Sequence, residues 1–226
     1  MYPSGTHSCV VEDARGCREA APSVLQNETE GRVDKTIIVI DGFAPDIDGV
    51  ADAARSLDYS PMVYEGVEYS GMSGRGMYFP AAALSDAMGF RVAPVETIFR
   101  CGIVGDKMAV WIHNDLGVAG AEWAAILYLT DPPAHDSSGT AFWRHVETGL
   151  VAQPSADSFS PEMAQQFNID GQTMRPWQMD GYVAMRKNRL VIYPANRFHS
   201  RWPYRAFGSS PADGRLIWVG FFREGK

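Results

Sequence analysis

Five histidines are spread along the 226 residues, and two of them open a tripeptide with a carboxylate two residues on. His113-Asn114-Asp115 follows the apolar run Met-Ala-Val-Trp-Ile, and His145-Val146-Glu147 repeats the spacing. Residues i and i+2 of an extended segment share a face, so each imidazole and its carboxylate can address one ion. Spacing alone does not separate the two pairs. The first tripeptide also reads as an ordinary strand end, with Asn114 and Asp115 capping a turn and His113 packing. A further imidazole is available at His199, in Asn-Arg-Phe-His-Ser after the strand-like Leu190 to Pro194. Two imidazoles and one carboxylate on one face of an octahedron suit iron(II) and leave the opposite face open to small ligands. The separation of 86 residues (199 − 113) is no obstacle where distant strands lie side by side.

Positioning such a set requires a rigid framework, and the chain is patterned for one. Thr36 to Ile40 is a β-branched run and predicts a buried strand ending at Asp41-Gly42. Pro45 and Asp46 suit a helix start, with Ile47, Val50, Ala54 and Leu57 at helical spacing. A glycine-rich stretch from Tyr59 to Arg75 reads as turns, and residues 81–89 as a short helix closed by Gly89. Short β-like runs follow: Thr97–Val104, Met108–His113, Trp123–Thr130, Thr140–His145, Tyr182–Met185, Leu190–Tyr193 and Leu216–Phe222. Turn signals between them predict a mainly β protein, an antiparallel sandwich or barrel with supporting helices near its N-terminus. Residues 34–226 are expected to form one domain behind a loosely attached arm of residues 1–33. Residues 150–181 interrupt the series as a polar insert with a helix start at Ser160-Pro161-Glu162, and its length suggests a substrate lid.

Composition narrows the class of function. At 46% hydrophobic and 21% charged residues the chain can bury a sizeable core. A net charge of −7 argues against nucleic-acid and anionic-membrane partners. Cys9, Cys17 and Cys101 are odd in number and form no C-x-x-C pair, which argues against a disulfide framework and a thiolate zinc site. No leader-like or membrane-length apolar segment is visible, so a cytoplasmic protein is expected.

Residues 111–222 resemble the core of the prolyl-hydroxylase-like iron(II)/2-oxoglutarate oxygenases. Four features occur in that family's order: H-x-D after a strand, the aliphatic strand Ala124 to Thr130 containing Tyr-Leu, the strand Gly139-Thr140-Ala141-Phe142, and Gly214-Arg215 opening a final strand beyond a distal histidine. The resemblance implies a double-stranded β-helix, a jelly-roll or cupin-like barrel. It implies iron held by His113, Asp115 and His199, because the family's H-x-D precedes the Tyr-Leu and Gly-Thr strands, whereas His145 and Glu147 follow both. It also implies that Arg215 anchors the distal carboxylate of 2-oxoglutarate, with Arg205 as runner-up and Tyr128 as a second donor. The loop Phe207 to Asp213 sets Arg215 sixteen residues past His199, a departure from the family pattern.

The implied reaction consumes O₂ and 2-oxoglutarate, releases succinate and CO₂, and hydroxylates, desaturates or cyclises a substrate. A small amino-acid-like metabolite, as in secondary metabolism, is the expected substrate. The insert and the segment Tyr64 to Tyr78 would cover it, with Arg100, Arg144, Arg175 and Trp177 as candidate contacts. A homodimer is the candidate assembly. Two rivals stay open: a cupin-like metalloenzyme that does not use 2-oxoglutarate, and a non-catalytic binding protein that keeps the barrel.

Overall fold

The computed structural model describes residues 23–25, 37–64, 67–106, 109–155 and 160–226. The arm expected at 1–33 lies outside these residues except for β1 (Ser23–Leu25), which pairs antiparallel with β2 (Ile37–Asp41). Then come α1 (Ile47–Arg55), the hairpin β3 (Tyr59–Tyr64) and β4 (Val67–Gly74), and α2 (Ala81–Met88). The remaining elements are β5 (Val92–Gly102), β6 (Trp123–Tyr128), β7 (Gly139–His145), α3 (Pro161–Asp170), β8 (Trp177–Ala184), β9 (Arg189–Pro194), β10 (His199–Trp202) and β11 (Arg215–Glu224).

Two antiparallel sheets result. The larger has the order β1-β2-β9-β6-β11-β5-β4-β3, and the smaller the order β10-β7-β8. Burial follows strand alternation. On β6 and β9, Ala125, Leu127, Leu190 and Ile192 face a core shared with α1 and α2. Their neighbours Ala124, Ile126, Tyr128, Val191 and Tyr193 face the other way and meet Phe142 and Val183 of the smaller sheet. The central strands are therefore covered on both faces, which is why they read as unbroken apolar runs. A third cluster lies on the outer face of the smaller sheet, where Trp143, Trp177 and Phe198 pack against Phe167 of α3.

The helix ends follow their sequence signals. Asp46 Oδ1 accepts from Gly49 N at 2.9 Å and caps α1. Ser160 caps α3 with Pro161 in its first turn, and Gly89 closes α2 in the left-handed region.

Three expectations are corrected. The stretch from Tyr59 to Arg75 is a β-hairpin rather than a run of turns, with a register shift after Pro61 that accommodates the missing N–H. Among the described residues of Met108–His113 no strand forms, and only a single bridge joins His113 to His199. The insert 150–181 is mostly framework: α3 covers the smaller sheet, and β8 pairs with β7 from Gly139↔Ala184 to His145↔Trp177.

Candidate metal centre

β10 carries His199 on the face opposite Phe198, which belongs to the outer core. His199 therefore points between the sheets, with its ring 4.6 Å from that of Tyr193 on β9. His113 is held against it by the backbone: His113 N donates to His199 O at 3.0 Å, and His199 N to His113 O at 2.8 Å. The preceding residue is pinned from behind, since Ile112 N donates to Gly171 O at 2.8 Å just past α3. A Cβ at position 171 would lie 2.1 Å from Ile112 O, so only glycine permits that approach. Asp115 N donates to Ala195 O at 2.7 Å, which fixes the third side chain between the two strand ends.

His113, Asp115 and His199 offer donor atoms that all lie within 4.8 Å of one another, the one such group of three among the described residues. The two imidazole Nε2 atoms stand 3.9 Å and 3.5 Å from the oxygens of Asp115. Each Nδ1 lies beside a backbone carbonyl two residues earlier: His113 to Trp111 O at 3.2 Å and His199 to Arg197 O at 3.0 Å. Nδ1–H donation to those carbonyls leaves both Nε2 lone pairs aimed at the common centre. The Tyr193 hydroxyl is 3.1 Å from His199 Nε2 and covers the inner side.

Protonation favours ligation. Burial, reinforced by His199, pushes His113 down to about 4, and burial pushes His199 to the same value. Burial raises Asp115 to about 6, against the opposing effects of His113, the Tyr193 hydroxyl and Arg100. At neutral pH the set is two neutral imidazoles and one carboxylate. Asp115 Oδ2 is buried and has no hydrogen-bond partner, an arrangement that costs stability unless a cation completes it. The residues fit a divalent metal of the iron(II) type.

Beyond the triad, Arg215 is 6% exposed between the sheets. Its Cζ lies 5.9 Å from the Tyr128 ring centre, and its Nη2 reaches Gly139 O at 3.4 Å. The Tyr128 hydroxyl is 2.7 Å from Thr140 Oγ1, and both residues are buried. Among the described residues no carboxylate pairs with Arg215; burial lowers its pKa and only Tyr and Cys groups oppose the shift. A buried guanidinium in such a setting suits an anionic ligand.

The other candidates fall elsewhere. Arg205 is exposed and sits 3.3 Å from Asp136, so it does not join the Arg215 pocket. Trp177 belongs to the outer core: its Nε1 donates to Asp170 O at 3.0 Å, and its ring lies 4.9 Å from Phe198. Arg144 is bound to Asp180 at 2.6 Å and to Gly149 O at 2.9 Å, while Arg175 is exposed. Arg100 is half-buried on β5 and donates to Ser70 O at 2.6 Å; its charge helps to lower both His113 and Asp115. The rival pair separates as well. His145 is buried on the outer face between Thr148 and Asp170, at 3.0 and 3.1 Å, whereas Glu147 is exposed.

Sequence reasoning missed Arg201, Thr140 and Tyr193. Arg201 was accessible by strand alternation, being two residues past His199 on the same face.

Comparison with known proteins agrees with this architecture. No match in sequence is found among curated proteins. Among solved structures, the non-haem alpha-ketoglutarate-dependent carbocyclase SnoK from nogalamycin biosynthesis is 10% identical, with a TM-score of 0.55 over 84% of this chain and 80% of that chain. AviO1 from Streptomyces viridochromogenes Tue57 is 16% identical, with a TM-score of 0.52 over 84% and 90%. HygX from Streptomyces hygroscopicus, solved with nickel, 2-oxoglutarate and hygromycin B bound, is 12% identical, with a TM-score of 0.50 over 84% and 83%. The fold is thus shared with iron/2-oxoglutarate oxygenase-family enzymes. In sequence, residues 110–222, half of the chain, match the family of unknown function DUF6445, and the chain belongs to that family.

Proposed function

We propose that the protein is an iron(II)- and 2-oxoglutarate-dependent oxygenase acting on a small metabolite. The observation that carries this reading is the pairing of a three-donor centre, His113, Asp115 and His199, with the buried guanidinium of Arg215 between the same two sheets. The sheets are then the two walls of a double-stranded β-helix. Bound iron with 2-oxoglutarate and O₂ supplies the oxidising power to remove hydrogen from a C–H bond, and succinate and CO₂ are released.

The chain's own groups do the rest. His113, Asp115 and His199 hold the metal from one side and leave the other open. Arg215 binds the far carboxylate of the 2-oxo acid, and the hydroxyls of Tyr128 and Thr140 orient it. The packed interior around Phe142, Ile217 and Tyr193 excludes water from the reacting centre. Hydroxylation, desaturation and ring closure all remain open to this machinery. Likeness in fold to the carbocyclase SnoK makes ring closure a concrete candidate. We place the protein in the cytoplasm, where the free thiol of Cys101 stays reduced.

The test is anaerobic titration of the apo-protein with iron(II) and then 2-oxoglutarate. A weak visible charge-transfer band that needs both components, and is lost in His199→Ala, supports the reading. Iron-replete folded protein with no band would leave the cupin-like metalloenzyme in its place.

A further inference from the structure

His145 is no metal donor, yet the protein buries it at the end of β7 with both ring nitrogens engaged. Nε2 lies 3.1 Å from Asp170 Oδ2, and Nδ1 lies 3.0 Å from Thr148 Oγ1. Thr148 Oγ1 also accepts from Leu150 N at 3.3 Å, so its hydroxyl hydrogen is free to go to Nδ1. That network assigns the imidazole hydrogen to Nε2 and directs it at Asp170. The rings of Phe167 and Trp177, at 4.9 and 5.0 Å, wall the imidazole in.

Asp170 stands where a carboxylate is unfavourable. It is the last residue of α3, at the negative end of the helix, and the last turn carries no basic residue. His145 offsets this, helped by Gln166 Nε2, which donates to Asp170 Oδ1 at 2.9 Å. The next residue, Gly171, passes the constraint on. Its nitrogen donates to Phe167 O at 2.8 Å, and its carbonyl accepts from Ile112 N at 2.8 Å. Ile112 N belongs to the same planar peptide unit as Trp111 O, which lies 3.2 Å from His113 Nδ1. Fixing the N–H of that unit therefore fixes the carbonyl that aims the His113 ring. No strand forms among the described residues just before His113, so this one bond does the work of a ladder.

We infer that His145, through Asp170 and the Gly171 carbonyl, is a positioning residue for His113. The inference rests on the proposed function only for a metal at the three donors, and not for 2-oxoglutarate. His199 has its own support, since the carbonyl beside its Nδ1 belongs to Arg197. The two imidazoles are thus aimed by separate parts of the fold, and loosening the end of α3 disturbs one of them alone. The tripeptide that competes with His113 in the sequence serves, through its histidine, the centre it does not form.

Cobalt(II) titration of the full-length apo-protein tests this without turnover. Visible d–d absorption gives the affinity. The proton spectrum of the cobalt protein shows one far-shifted, exchangeable imidazole N–H signal for each bound histidine. Asp170→Ala removes the partner of His145 and relieves the helix end, whereas His145→Phe keeps a ring of similar size without the Nε2 hydrogen. Each is expected to weaken cobalt binding about tenfold and to move one of the two N–H signals. Either variant suffices if the other fails to fold. His145→Gln, whose amide can donate to Asp170 from the same place, should stay within about threefold of wild type with both signals unmoved. Leu150→Ala alters the same outer cluster, leaves the tie intact and should also bind as wild type.

Wild-type affinity with unmoved signals in Asp170→Ala and His145→Phe overturns the inference. So does an equal loss in Leu150→Ala, which would trace the effect to general destabilisation. Movement of both N–H signals alike also overturns it, because the whole centre would then have loosened. If cobalt binds and the variants behave as expected, but iron(II) with 2-oxoglutarate gives no charge-transfer band, the oxygenase reading falls and the positioning role stands. Absence of cobalt binding in wild type would sink both.

Discussion

Arg197 grips the candidate metal centre at one end and the smaller sheet at the other. Its backbone carbonyl lies 3.0 Å from His199 Nδ1, and its guanidinium is bound to Asp180 of β8. Asp180 also takes Arg144 at 2.6 Å, so one buried carboxylate serves two cations. Asp180→Asn is expected to lower stability by about 3 kcal/mol, since it breaks a buried ion cluster. It should also weaken metal binding about tenfold, through the orientation of His199. Denaturant unfolding and metal titration read the two effects. Unchanged metal affinity at reduced stability would show that the carbonyl holds the imidazole without help from the ion pair.

Arg215 and Arg205 should separate cleanly. Arg215→Gln is expected to raise the 2-oxoglutarate concentration for half-maximal band formation about tenfold or more, from loss of a charged two-pronged donor. Arg205→Gln should leave it unchanged, because Arg205 is exposed on Asp136. Equal losses in both variants would mean that Arg205 swings into the pocket.

Asp115 should destabilise the metal-free protein. Its buried Oδ2 lacks a partner, which costs about 1–3 kcal/mol. Asp115→Asn is therefore expected to raise the apo-protein melting temperature by about 3 °C or more while abolishing stoichiometric iron. A lower melting temperature would show that the carboxylate is already satisfied without metal.

Trp177 is expected to behave as a core residue. Trp177→Ala should remove about 3–5 kcal/mol of stability, whereas Trp177→Phe should keep iron and 2-oxoglutarate binding. Loss of binding in the phenylalanine variant at unchanged stability would return Trp177 to the site.

Cys101 should resist alkylation. It is 1% exposed, and burial pushes its thiol up to about 11. Iodoacetamide at pH 8 is expected to spare Cys101 in folded protein and label it after unfolding, as peptide mass mapping would show.

The strands that were legible in sequence are those buried on both faces, because Ala124 to Leu129 and Leu190 to Tyr193 need no amphipathic period to be recognised. The hairpin from Tyr59 to Gly74 was not, since glycine, serine and Pro61 mask a strand held by an edge and a bulge. β5 begins at Val92 rather than Thr97, because Pro94 is accommodated where the register against β11 shifts between Phe221 and Phe222. Type and spacing offered both His113 with Asp115 and His145 with Glu147, and only the family resemblance, through its strand order, favoured the residues that cluster with His199. Which arginine lies between the sheets depends on strand register, and only the fold separates buried Arg215 from exposed Arg205.

The reciprocal backbone bonds between His113 and His199 bear on how the protein would take up a metal. Closing a loop of 86 residues (199 − 113) is entropically unfavourable, and here peptide hydrogen bonds and sheet packing, which use no donor atom of the triad, contribute to closing it. Chelation is then expected to leave the two sheets folded, unlike small zinc modules whose folding is driven by the metal. Metal exchange becomes a reversible event in a preassembled socket, so the identity of the resident ion in a cell would follow supply as much as the protein's own preference.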